Sequence, residues 1–381
     1  MKIKNLDVLI VYNGSLAMSA SDDLADSPFK KNSKNEIYNG VYGYFLEICK
    51  RFGVNAAFST SDDIIGAGLC KSYWVYKNKK WQGINKVCKS KLIFDKFSSV
   101  RKTVKTARRL LFSSKEVKAF NDPRLFRLFF DKNKTYQKLS EFAIPTVILE
   151  DNSLGGIKKA LAKLAKIILD HPNSSDFEAD IVMKDKRGAG GLNVHRIGSD
   201  DYKQMFSLLK NNKNTSFVFQ PLVNFDKGFS YQGVKAPTDI RFIYLNGELV
   251  QTYIRIAKPG EFRCNEHQGG LLTYIKPLDI PWEIVAKSNL IAKALKSKRS
   301  LFTLDFIVSN SGNSYLLEGN TSPGLDWNVD LRRNEIEAKI LIRLIVCDIL
   351  SRVKNKSAYL KRRQIVDPFS IATSQNYPVT L

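Results

Sequence analysis

The sequence predicts a chain of mixed helix and strand, α/β over residues 1–115 and α+β beyond, on three observations. The first region alternates short apolar runs with a helical stretch, the pattern of a small α/β domain. Thr238–Leu245 and Leu249–Ile256 flank Asn246-Gly247, the strongest short hairpin signal. Residues 301–327, LFTLDFIVSNSGNSYLLEGNTSPGLDW, read as two further β-rich runs, TLDFIV and SYLLEGN, joined by the turn-forming Asn310-Ser311-Gly312-Asn313.

Taken in order, residues 6–12 predict a first strand, followed by a polar loop to about residue 35. Residues 38–52 have helical periodicity and end at Gly53, a residue suited to a helix C-terminus. Residues 55–59 and 91–96 (KLIFDK) read as short strands. Residues 71–81, with Trp74, Tyr76 and Trp81, read as a hairpin with a packed aromatic face, a recognition surface being the alternative. A basic helix is expected over 99–111, and Asp131-Lys132 starts a helix over 135–142 that leads through Ala143-Ile144-Pro145 into a strand. Residues 156–169 form an amphipathic Lys/Ala/Leu helix with a packing role.

Residues 179–197, ADIVMKDKRGAGGLNVHRI, read as a strand carrying Lys184, a turn at Gly188-Ala189-Gly190-Gly191, and a second strand. Such a hairpin can turn backbone N–H groups and a lysine onto phosphate oxygens, although the same glycines also serve as a flexible tip. SFVFQPLV, residues 216–223, is an apolar strand expected to end at its Gln-Pro break. The 238–256 hairpin and its extension carry Asp239, Arg241, Arg255, Arg263 and Asn265 before Gly269-Gly270. Arginines inside strands usually have anionic partners. A helix over 282–298 leads into the Asp305 strand, residues 336–353 form a packing helix, and the basic tail 354–381 is expected to be less ordered.

If Ser311-Gly312 is the tip of the last hairpin, Asn310 faces Asn313 and Asp305 lies opposite Glu318. Asn320 projects on the same face, two residues further along. Two neighbouring carboxylates repel unless a proton or a cation sits between them. An all-oxygen set with an amide suits Mg²⁺ or Mn²⁺ better than zinc. The alternative is a pair of solvated polar positions, against which stands the cost of charge within apolar strands.

At 381 residues the chain has room for two or three domains, and 44% hydrophobic and 11% aromatic content exclude a disordered chain. No apolar run approaches the roughly 20 residues that span a bilayer. The start MKIKNLDVLIVY is interrupted by Asp7 and reads as a buried strand rather than a signal peptide, which places the protein in the cytoplasm. Its five cysteines are scattered and lack a CxxC, the pattern of free thiols in a reducing compartment. The formal net charge of +23 has two readings. One is a polyanionic partner, such as an acidic polypeptide, a phosphorylated substrate or nucleic acid; the other is a lysine-rich composition spread over solvated faces.

Together, Lys132, Lys184, the glycine-rich turn, a strand ending in a hinge, D-I-R at 239–241, R-x-N before Gly269-Gly270, and Asp305 with E-x-N at 318–320 resemble the ATP-grasp superfamily in order. Within it the sequence is most similar to RimK-type glutamate ligases and glutathione synthetases. TDIRFIYLNGELVQTYIRIAKPGEFRCNEHQGG and LDFIV…YLLEGNTSPGLDW carry most of that likeness, which covers about residues 122–330. The resemblance implies an α+β ATP-grasp fold, two α+β lobes clasping ATP, after a small α/β pre-ATP-grasp domain at 1–115. The N-lobe would span 116–222, the C-lobe 223–353, and a basic tail 354–381.

By the same resemblance Lys132 and Lys184 contact the phosphates of ATP, and Gly188, Gly190 and Gly191 close over them. The backbone at Gln220, Pro221 and Leu222 takes the adenine. Asp305, Glu318 and Asn320 hold Mg²⁺ (or Mn²⁺). Arg255 meets the transferring phosphoryl group, Arg263 and Asn265 lie near the substrate, and Arg241 completes the catalytic set. Pro221 departs from the acidic residue common at that hinge, and residues 224–237 form a longer segment than the RimK pattern has.

The activity implied is an ATP-dependent carboxylate–amine ligase working through an acyl phosphate, with amino-acid addition to a peptide or protein among its forms. The expected partners are ATP, a carboxylate and an amine, with an acidic peptide or protein as one candidate acceptor. No membrane is involved, and nucleic acid would bind only by nonspecific charge. Alternatives are phosphorylation of a hydroxyl acceptor and a catalytically silent nucleotide-binding scaffold. Against the scaffold, no member of the nucleotide and metal set is missing.

Overall fold

The computed structural model describes residues 3–97, 102–188, 190–297, 299–325 and 331–354. They form two compact units, one of the described residues up to Asn121 with those after Pro323, the other of Asp122–Pro323.

In the first unit, strand β1 (Val8–Tyr12) is followed by helix α1 (Tyr38–Arg51) and strand β2 (Ala56–Thr60). Strands β3 (Tyr73–Lys77), β4 (Lys80–Ile84), β5 (Leu92–Lys96) and β6 (Lys118–Ala119) complete a six-stranded sheet of order β6-β5-β1-β2-β3-β4. The β6, β5, β1 and β2 pairings are parallel, as alternating strands and helices require, and β3–β4 is an antiparallel hairpin. Trp74 is buried, Trp81 donates its Nε1–H to Asn39 O at 3.2 Å, and Tyr76 and Trp81 rings lie 5.1 Å apart. The aromatic hairpin face is therefore packed rather than presented. The basic helix α2 spans Lys102–Leu111 and pairs Arg108 with the buried Asp95.

Among its described residues the second unit contains two large antiparallel sheets and a two-stranded hairpin. Helices α3 (Pro123–Phe129) and α4 (Lys132–Leu139) lead to strand β7 (Val147–Ile148) and helix α5 (Leu154–Leu169). Asp122, Asp131 and Ser153 cap the three helices, each accepting from backbone N–H groups of the first turn. Strands β8 (Phe177–Asp185) and β9 (Val194–Ile197), helix α6 (Tyr202–Asn211) and strand β10 (Phe217–Val223) follow. The sheet order is β7-β10-β8-β9, and α5 and α6 bury Ile157, Leu164, Met205 and Leu209 against it.

The Gln-Pro pair does not end β10. Pro221 continues it opposite Ile181 on β8, and β7 is too short to reach Pro221 from the other side. A missing N–H costs little where no partner strand asks for it.

The other sheet comprises β11 (Thr238–Leu245), β12 (Glu248–Ile256), β13 (Leu271–Ile275), β14 (Leu301–Val308) and β15 (Ser314–Asn320), in the order β13-β12-β11-β14-β15. Helix α7 (Trp282–Ala294) packs on it with α3 and α4. Every residue of β11 and β14 is buried, as befits central strands. The Asn246-Gly247 tip has positive φ at both residues, the two-residue turn the sequence signals. Residues 224–237 contain a small hairpin, Ser230–Tyr231 with Val234–Lys235, and bury Phe225 and Phe229.

Helix α8 (Arg332–Lys354) belongs to the first unit, where Tyr44 of α1 accepts from Arg343 Nε at 2.7 Å. No helix among the described residues is long and apolar enough to cross a membrane. Ala189 of the glycine-rich turn and the tail beyond Lys354 lie outside the described residues.

Candidate active site

A cleft separates the two sheets of the second unit. One wall is formed by Val182, Lys184, Gly188, Gly191 and Gln220–Val223, the other by Asp239, Ile307, Leu317 and Glu318, with Lys132, Arg263 and Asn265 also lining it. Each of these elements arrives by a specific local cause.

Lys184 sits on β8, opposite Val218 and Val194, with its side chain buried among apolar strand residues. Burial lowers its pKa to about 8; the nearby Glu318 carboxylate opposes that fall and the Lys132 charge adds to it. Lys132 opens α4, its backbone N–H donating to Lys186 O at 3.0 Å and its Nζ to Gly188 O at 2.6 Å. Asp131, the cap of α4, also pairs with Lys186 at 3.4 Å. The sequence therefore supplies one lysine from a strand interior and one from a helix start, and the fold brings both to one turn.

Gly190 and Gly191 have φ of 67° and 73°, in the left-handed region. A Cβ on Gly191 would lie 2.8 Å from Asn265 Oδ1, so the loop 262–268 sits directly on the turn. Arg263 Nη1 donates to Gly191 O at 3.5 Å and Gln268 Nε2 to Gly190 O at 3.4 Å. Arg263 also pairs with Glu261 at 2.6 Å, and that hydrogen bond holds the Glu261 carboxyl down at about 2. Gln220 donates its amide to Thr146 Oγ1 at 2.7 Å, while its buried Oε1 has no partner among the described residues.

Asp305 and Glu318 do face each other, but not through the expected turn. Near the tip the pairs are Val308 with Ser314 and Phe306 with Leu316, and Ser309 rather than Asn310 closes the turn onto Asn313. Asn310 instead bonds Asn224 and Asp226. Leu317 is an extra residue on β15, a bulge that shifts the ladder by one and restores Glu318 opposite Asp305. Asn320 then lies opposite Thr303, two residues further along.

Behind these residues runs a buried ion network. Arg241 Nε and Nη2 donate to Asp305 Oδ1 and Oδ2 at 2.7 and 2.5 Å, and its Nη1 donates to Tyr253 Oη at 2.9 Å. Arg255 donates to both oxygens of Asp239 at 2.8 Å and to Asp305 Oδ2 at 2.8 Å. Burial alone would raise Asp305, but the two guanidinium groups outweigh it and hold its carboxyl below the usual range. Arg241 and Arg255 thus stand behind the cleft wall, joined to carboxylates, while Asp239 lines the cleft itself. Local sequence assigns Asp239 no role of its own; its place near Arg241 in the D-I-R motif is the one signal it carries.

The donor types suit a hard cation; Glu318 lines the cleft, while Asp305 is fully buried behind it. The Glu318 carboxylate has no hydrogen-bond or ion-pair partner among the described residues, Asp305 Oδ1 holds a single hydrogen bond, and Asn320 Oδ1 accepts only from Ser322 N at 2.7 Å. Among the described residues no group of three or more His, Cys, Asp or Glu is placed to hold a metal, so the amide of Asn320 would have to complete the set.

A family model, the RimK-like ATP-grasp domain, matches residues 147–345. A probable alpha-L-glutamate ligase of Shewanella halifaxensis is 35% identical over 88 residues, covering 23% of this chain and 18% of that protein. One from Legionella pneumophila is 31% identical over 150 residues, 39% of this chain and 44% of that protein. The chain thus spans less than half the length of these curated relatives. A RiPP-associated ATP-grasp ligase of Chryseobacterium gregarium, solved with ADP and a leader and core peptide, aligns with TM-score 0.54 at 13% identity. That alignment covers 91% of this chain and 97% of that one, a likeness of fold.

Proposed function

The chain belongs to the RimK-like ATP-grasp family, and from that premise we propose that it is an ATP-dependent carboxylate–amine ligase. The observation that carries the reading is the convergence of Lys132, Lys184, the glycine turn, Asp239 and Glu318 on one cleft between two sheets. In this reading the purine lies against Val182, Leu222 and Ile307, where the unpartnered Gln220 Oε1 accepts from an exocyclic amine. Asp239, its carboxylate oriented by Arg255, accepts from ribose hydroxyls. Lys184 and Lys132 face the phosphates, and phosphate oxygens keep Lys184 protonated.

Asp305, Glu318 and Asn320 would hold Mg²⁺ (or Mn²⁺), which when bound supplies charge neutralisation at the terminal phosphates. A substrate carboxylate oxygen attacks the γ-phosphorus, the bond to the β-phosphate oxygen breaks, and ADP leaves an acyl phosphate. An amine then attacks the acyl carbon, loses a proton, and expels inorganic phosphate to leave an amide. Loop 262–268, resting on the glycine turn, excludes water from that intermediate. Arg263 and Asn265 stand nearest to where the acceptor would enter.

The named activity of the relatives and the peptides bound to the structural neighbour favour an amino acid or peptide as substrate. The five cysteines, all of them buried, suit the reducing cytoplasm. The test incubates the protein with ATP, Mg²⁺, hydroxylamine and a panel of carboxylates, peptides with glutamate included. Hydroxamate formed with stoichiometric ADP and phosphate supports the ligase. Phosphate retained on an acceptor would instead make it a kinase, and nucleotide binding without turnover a scaffold.

A further inference from the structure

Glu318 and Asn320 project from β15 on one face, and between them Gly319 turns to the other. On that rear face Phe129 of α3 packs in one core cluster with Phe302, Leu304 and Leu316. Gly319 pairs with Leu304, and the Phe129 ring fills the space over it. A Cβ at Gly319 would lie 2.3 Å from Phe129 Cδ1 and Cε1 and 2.6 Å from Cζ. No side chain fits there unless the ring or the strand moves.

The same stretch of chain holds β15 at a second point. Leu316 N donates to Phe142 O at 2.7 Å, and Ile144 N to Leu316 O at 3.4 Å. Phe129 and Phe142 therefore hold β15 on either side of the Leu317 bulge. Between them in sequence stands Lys132, tied to Lys186 O and Gly188 O. One segment, residues 129–144, thus touches the cation strand from behind and the glycine turn across the cleft.

We propose that Phe129, seated in the space left by Gly319, is a positioning residue that fixes Glu318 and Asn320 relative to Lys132 and the glycine turn. This rests on the ligase reading, in which Glu318 and Asn320 hold the cation and Lys132 the phosphates. A bulge interrupts the ladder hydrogen bonds, so β15 lacks there the restraint that keeps an ordinary strand in place. A ring in close contact supplies it, because packed interiors do not absorb an extra methyl without a shift. A shift on the order of 1 Å is enough to disable a site of this kind.

The experiment compares wild type with Gly319→Ala, Phe129→Leu and the double variant. It reads Mn²⁺ binding at saturating ADP from the electron paramagnetic resonance signal of free Mn²⁺, with thermal melts alongside. Gly319→Ala should weaken ADP-dependent Mn²⁺ binding by about tenfold or more. The double variant, in which leucine makes room for the methyl, should return to within about threefold of wild type. Gly319→Ala binding Mn²⁺ as wild type does would overturn the proposal. So would a double variant no better than Gly319→Ala, or Mn²⁺ affinities that merely follow the melting temperatures. If wild type showed no ADP-dependent Mn²⁺ binding, the ligase reading would fail first and this role with it.

Discussion

Asp305 and Arg241 face each other across β14 and β11, and Arg241 spans both oxygens of the Asp305 carboxylate. Arg255 adds a third hydrogen bond to it. Asp305 is fully buried, so this carboxylate holds two cations in the interior before any ligand arrives.

Substituting Asp305 and Glu318 should therefore have different consequences. Asp305→Asn leaves two buried guanidinium groups short of charge, and breaking a buried pair costs about 3–5 kcal/mol. Its thermal melt should fall by many degrees. Glu318→Gln removes a carboxylate with no such partner, so its melt should stay near wild type while ADP formation drops roughly a thousandfold. Calorimetry and an ADP assay on both variants check this. Equal melts would mean that the ion network contributes little, and near-normal turnover in Glu318→Gln would remove it from the cation site.

Lys184 predicts a pH dependence. Its pKa in the free protein is lowered to about 8, chiefly by burial. Below that value the amine is protonated and attracts phosphate; above it the attraction is lost. The dissociation constant for ADP should thus rise with pH, by roughly tenfold between pH 7.5 and 9. Lys184→Met should bind ADP more weakly at pH 7.5 and show a much flatter profile. A wild-type profile as flat as the variant's would take Lys184 off the phosphates.

Much of this fold could be read from local chemistry. The Asn246-Gly247 turn fixed β11 and β12, and apolar runs located β8, β10 and β14, because turn residues and buried strands write themselves into neighbouring positions. The Asp305–Glu318 pairing was foreseen, yet by a register that the chain does not use near the turn. Leu317 is a bulge, and no residue type marks a bulge as an Asn-Gly pair marks a turn. Likewise Arg241 and Arg255 could be expected to face anions, but not that those anions are Asp305 and Asp239. Partners across strands depend on sheet order, which local sequence does not state. The role of Phe129 was hidden for the same reason, since it depends on a glycine 190 positions away.

The cysteines give a check on the interior. All five are buried, and burial pushes the Cys88 thiol up to about 12, those of Cys49 and Cys70 higher still, and that of Cys264 well above its ordinary value. Thiols held protonated and out of solvent react slowly. Native protein should leave all five untouched by a thiol-specific disulfide reagent over minutes, and denatured protein should expose five. Rapid native labelling of Cys264, which lines the cleft, would mean that loop 262–268 opens readily.

The surplus of positive charge bears on the acceptor. ATP and one carboxylate account for only a few of the +23 charges, which leaves the proposed ligase positive charge to spare for an acidic polypeptide acceptor. Attraction between exposed charges is screened over about 8–10 Å near physiological salt. Polyanion binding should therefore weaken steeply as salt rises, whereas ADP held in the cleft should weaken far less. Titrations with poly-glutamate and with a mixed-sequence oligonucleotide, at low and moderate salt, separate the cases. Tighter binding to poly-glutamate, further strengthened by ADP and Mg²⁺, is the outcome expected of a ligase that acts on an acidic polypeptide. Tight binding to the oligonucleotide alone would reduce the charge to a nonspecific one. Binding of neither at low salt would make the excess a matter of composition and turn the search toward a small-molecule acceptor.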